Sequence, residues 1–196
     1  MKSKSILLAL GLALAPGAQA EDAQAAHVRE LLDIFNRGCL HAFPAGSLAS
    51  FAAGLHGGKL AADDFARAVP DKSGEGWAIG GGSGNYVLLR SEGFKPGDIP
   101  LLAGDKNEVC TVLTTGPRDL AVLEPFRALK AQYAAETHTT LIKPTHPASM
   151  EGVTGGVIEM QISATLSGLL YVQSLQPSGD AEYRLEYRPS PYNAKP

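Results

Sequence analysis

Four glycines and a serine in a run, Gly80-Gly81-Gly82-Ser83-Gly84, are the residues of this chain whose spacing first invites chemistry. A dinucleotide or phosphate cradle needs glycines between a strand and a helix whose N-terminal amides meet the phosphate. Here Tyr86-Val87-Leu88-Leu89 follows, which has strand chemistry, so no cradle forms. A nucleophile elbow places glycine two residues either side of its serine and then turns into a helix. Asn85 stands where the second glycine belongs, and Ser83 is not activated by that device. The segment reads as a mobile hairpin tip whose bare backbone admits the close approach of another molecule. Gly81, Gly82 and Ser83 are the candidate partner-binding residues, with Trp77 and Tyr86 near the hairpin's base. Trp77 also suits the start of a strand as a core anchor, since a single large ring packs well beneath a helix.

The other reactive side chains are dispersed. His27, His41, His56, His138 and His146 show neither the i, i+4 helical pairing nor a finger-type spacing of metal ligands, so they read as surface or loop residues. His138 or His146 with Ser149 would make a serine and base pair if folding joined them, an arrangement that suits a small hydrolase acting on cell-wall or lipid material. No closely spaced carboxylates suggest glycoside hydrolysis. No cofactor and no metal are expected.

Charge and the first twenty residues define the setting. A formal charge of −3 without a basic cluster lacks the electrostatic footprint of nucleic-acid binding. Lys2 and Lys4 precede an apolar run from Ile6 to Ala15, Pro16-Gly17 breaks it, and Ala18-Gln19-Ala20 ends in small residues. These are the parts of a secretory signal peptide cleaved between Ala20 and Glu21. Ten apolar residues at about 1.5 Å each cover roughly half of a ~30 Å hydrocarbon core, too little for a span. Losing Lys2 and Lys4 takes 17 basic residues to 15 against 20 acidic ones, leaving a mature charge of −5. The expectation is a periplasmic chain with no transmembrane anchor after processing. In an oxidising compartment Cys39 and Cys110 should pair, closing a loop of about seventy residues.

The elements that must position these residues follow from periodicity. Val28, Leu31, Leu32, Phe35 and Cys39 make one helical stripe, with Arg29, Glu30, Asp33 and Arg37 elsewhere on the wheel. Short helices follow from Ser47 and over 62–69, ending at Pro70. Strands are expected at 77–79, 86–89 and 108–115, and a helix over 119–133 that becomes regular around Pro125. Ile158, Met160, Ile162, Ala164 and Leu166 alternate with polar residues, as do Tyr183, Leu185 and Tyr187, and 169–175 and a weaker 137–143 are further strands. The class is α+β: an antiparallel sheet with the N-terminal and one inserted helix packed on one face. Residues 21–188 form one domain and 189–196 a tail.

Cys39 with Phe43 after a helix, then Gly76-Trp77, Tyr86-Val87-Leu88 and Val109-Cys110-Thr111-Val112, resemble a family of small exported bacterial proteins and lipoproteins. That family is known chiefly by a meningococcal locus name and has no established activity. The likeness spans residues 28–115 and implies export and a paired Cys39 and Cys110; it brings no catalytic residues. The first cysteine here is Cys39, so the lipid-bearing cysteine of the lipoprotein members has no counterpart. A non-enzymatic protein that binds a periplasmic or secreted partner, of the inhibitor or immunity type, is the expectation; the small hydrolase is the alternative.

Overall fold

A computed structural model describes residues 16–70, 72–92, 108–137, 158–162, 168–176 and 178–188. The first helix, α1, spans Pro16–Ile34 and continues as a π-helical segment over Phe35–Ala42. The expected cleavage point, Ala20–Glu21, lies within this helix. The π turn closes with Phe43 N donating to Gly38 O at 2.8 Å, and it buries Phe35, Cys39 and Leu40 together.

Two short helices follow, α2 (Leu48–Gly54) and α3 (Ala62–Ala68), with a two-residue strand β1 (Gly58–Lys59) between them. Strands β2 (Gly74–Gly80), β3 (Asn85–Glu92) and β4 (Glu108–Gly116) come next, then α4 (Leu123–Glu136). Regular helix in α4 begins two residues before Pro125 rather than at it. Within the first turn a missing amide costs no intrahelical bond, so the proline sits there without a break. Strands β5 (Ile158–Ile162), β6 (Gly168–Leu175) and β7 (Ala181–Arg188) complete the described chain. Thr137 closes α4 and is not the start of a strand; 138–143, 163–167, the loop from 93 to 106 and the tail lie outside the described residues.

All strands pair antiparallel in the order β1-β2-β3-β4-β7-β6-β5. The register places Trp77 opposite Leu88, Leu88 opposite Val112, and Val112 opposite Leu185, so these side chains share one face. With Ile79, Tyr86, Cys110, Tyr183 and Tyr171 they meet Leu31, Phe35, Ala52 and Phe126 from the helices in the main core. The fold is α+β, with α1 and α4 packed on this face. The third helix behaves differently from the rest of the helical layer. Phe65 of α3 and Val69, which caps it, pack on Leu89 and Leu113, residues one register position away that point to the opposite side. A helix of seven residues with one buried aromatic suffices there, because the rest of that side carries charge: Glu182, Arg184, Glu186 and Arg188 alternate along β7.

Cys39 and Cys110 sit at disulfide-bonding distance, with sulfurs 2.04 Å apart, and join the π segment to β4. Both are fully buried, so the cross-link runs through the main core rather than across a surface loop.

Candidate functional site

The hairpin between β2 and β3 closes at the pair Gly80 and Asn85, and Gly81 N donates to Gly84 O at 2.8 Å across the tip. None of the tip glycines has a positive φ, so their use is not to reach left-handed backbone. The reason is proximity. A Cβ on Gly81 would stand 2.4 Å from the Glu30 carboxylate, and one on Gly84 would stand 2.9 Å from the His27 ring. The tip is bare so that α1 can lie directly against it.

Glu30 grips the tip from α1. Its Oε1 accepts from Gly82 N at 2.9 Å, and its Oε2 accepts from Ser83 N at 2.9 Å, Ser83 Oγ at 2.8 Å and Tyr86 OH at 3.0 Å. One carboxylate thus takes four donors from a single hairpin. Burial alone would push the Glu30 pKa up, but the hydrogen bonds from Ser83, Gly82 and Tyr86 outweigh it and hold the group below its ordinary value. Burial, with the neighbouring carboxylate second, pushes the Tyr86 phenol well up, which keeps it protonated as a donor.

His27 lies one turn earlier on the same face. Its Nε2 is 2.8 Å from Thr114 Oγ1, and that hydroxyl donates to Asn85 O at 2.8 Å. A hydroxyl has one proton, already given to the carbonyl, so His27 Nε2–H is the donor and the ring is the Nε2-protonated tautomer. The ring meets Tyr86 edge-on at 5.4 Å. Burial lowers the His27 pKa, partly opposed by the Glu30 charge, and the imidazole is neutral near pH 7. His27 is 8% exposed, contrary to the surface reading of the histidines, whereas His41 and His56 are exposed as expected.

This arrangement suits support better than nucleophilic catalysis. The Ser83 proton points at a carboxylate whose acceptor positions are already engaged and whose basicity is lowered, and His27 bonds Thr114 instead of Ser83. His138, His146 and Ser149 lie outside the described residues. Among the described residues no three His, Cys, Asp or Glu side chains converge as metal ligands.

Trp77 and Tyr86 do not form a binding surface. They are 5% and 1% exposed, because the register that pairs Trp77 with Leu88 and Tyr86 with Thr114 turns both rings into the main core. Gly81 and Gly82 are exposed and Ser83 half-buried, so the accessible part of the candidate surface is the tip itself. It is also not a loose loop, since Glu30 fixes its amides. Beside it, on the α3 side of the sheet, lies an open cavity of about 500 Å³ floored by Ala78, Val87 and Leu113, with Asp64, Arg67 and Glu182 at the rim. A second hollow, about 340 Å³, holds Lys59, Glu75, Arg90 and Glu108, whose charges pair with one another.

Helical periodicity places Glu30 off the apolar stripe of the first helix, and no local pattern links His27 or Thr114 to the hairpin. The contact from Glu30 to Gly82 spans 52 positions and the one from His27 to Thr114 spans 87. The available signal was the glycine run itself, read as close approach instead of mobility. No protein-family model, curated protein or solved structure matches this chain. Among the described residues no helix is long and apolar enough to cross a membrane.

Proposed function

We propose that this chain is an exported, non-catalytic binding protein of the inhibitor or immunity type, working in the periplasm after removal of residues 1–20. Its contact with a periplasmic or secreted protein is made through Gly81, Gly82 and Ser83. The observation that carries the reading is the four-donor grip of Glu30 on the hairpin. A protein that needs no ordered tip has little use for a carboxylate dedicated to ordering one. A tip fixed before encounter avoids the entropy of ordering a loop during it, which raises affinity without new contacts. Cys39 and Cys110 at bonding distance are in keeping with an oxidising compartment.

The test compares wild-type protein with Glu30→Gln for affinity toward the partner recovered from periplasmic extract, using calorimetry on the purified pair. Binding should weaken at least tenfold while the near-ultraviolet dichroism of the core persists. Equal affinity would show that binding does not need the tip held by Glu30. Turnover of an ester or of peptidoglycan that disappears in Ser83→Ala would move the protein to the hydrolases instead.

A further inference from the structure

The direction of the tip's polar groups narrows what it can meet. The donors of Gly81, Gly82 and Ser83 are spent inward: Gly81 N–H goes to Gly84 O, and Gly82 N–H, Ser83 N–H and Ser83 Oγ–H go to Glu30. Among the described residues no donor reaches the carbonyls of Gly81, Gly82 or Ser83. The outward main-chain groups of Gly81, Gly82 and Ser83 are therefore acceptors, with a carboxylate held immediately beneath them. Gly81 and Gly82 are exposed and carry no side chain to screen those oxygens.

We infer that the tip is an acceptor surface that docks into a protein cleft lined by convergent hydrogen-bond donors, arginine or lysine side chains or main-chain amides. The inference rests on the binding reading above and names the chemistry of the partner. A carbonyl that enters a cleft without a donor loses its water and gains nothing, so clefts lined by carboxylates or by apolar side chains are selected against. A cationic cleft gains twice, through charge-assisted bonds to the carbonyls and through the Glu30 charge behind them. The formal charge of −3, or −5 without residues 1–20, steers the chain toward such a site over longer distances. The absence of side chains at Gly81 and Gly82 lets a narrow cleft close around the backbone, a shape that a turn with larger residues could not offer.

A photoreactive residue in place of Gly82, whose Cβ position has open space around it, tests this in the full exported chain, with one in place of exposed Gln132 on α4 as the control. The expected result is an adduct from position 82, absent from position 132, mapping to a partner segment with arginine, lysine or exposed amides. Its yield should fall at least tenfold in Glu30→Gln, which presents amide hydrogens where the tip needs an acceptor and so releases the turn. If that variant fails to fold, Gly81→Ala displaces the same carboxylate and should do the same. An adduct insensitive to both changes, or one mapping to an acidic or apolar segment, overturns the donor-cleft inference and leaves the binding reading standing. Loss of the adduct on adding a chelator overturns it in favour of a bridging metal ion. No adduct from position 82, or equal adducts from both positions, overturns both readings.

Discussion

Glu30 and His27 give the junction of α1 with the hairpin a direction of response to acid. The folded Glu30 pKa lies below its ordinary 4.5, so its contribution to stability is present above that value and is lost as pH falls through the folded one. The folded His27 pKa lies below its ordinary 6.5. The unfolded chain takes up that proton first, and stability declines as pH falls from about 6.5 toward the folded value. Both act in the same sense, so the unfolding midpoint should fall on acidification, starting near pH 6.5 and steepening below 4.5. His27→Gln should remove the upper part of that decline and Glu30→Gln the lower part; a midpoint flat from pH 7 to pH 4 would sink this account. At neutral pH, Glu30→Gln should cost about 1–2 kcal/mol in denaturant unfolding, the low side for charged hydrogen bonds because the carboxylate is partly exposed.

At the level of elements, the hairpin should be protected where its composition suggests mobility. Amide exchange at Gly82 and Ser83 should be slow in the wild type and fast in Glu30→Gln, because those two N–H groups end on that carboxylate. Gly81→Ala should lower stability nearly as much as Glu30→Gln, whereas Gly82→Ala, with open space at its Cβ position, should stay within about 0.5 kcal/mol. The helix and strand pattern was legible because burial repeats locally: Val28, Leu31 and Phe35 mark a helix, and Tyr183, Leu185 and Tyr187 a strand, without reference to any partner. The grip on the tip was not, because two of its four donors are backbone amides, which every residue but proline has, and all four lie more than fifty positions from Glu30. The side of the sheet taken by α3 was hidden for a related reason, since Phe65 and Val69 fit either face until the register is known. Reduction, or Cys110→Ser, should cost about 2–5 kcal/mol, measured as a lower midpoint; two titratable thiols in the native, unreduced protein would rule the bond out.

For the molecule as a whole, export predicts that intact mass of the periplasmic form corresponds to a chain beginning at Glu21, which retains both His27 and Glu30; a form with Met1 in the membrane fraction would contradict it. The strand order then bears on how the chain reaches its fold. The pairing of β4 with β7 lies at the middle of the sheet, yet 65 positions separate Gly116 from its partner Ala181. A chain emerging N-terminus first has β1 to β4, α1 and both cysteines in hand long before β7 arrives to cover the edge of β4. During that interval the edge of β4, which includes Val109, Val112 and Leu113, is an open template for any strand that meets it. Closing Cys39 to Cys110 early does not shield that edge; it holds β4 in place while the edge waits. A chain arrested before residue 181 should accordingly become oxidised and then self-associate, and the safeguard against aggregation is the timely arrival of its last strand.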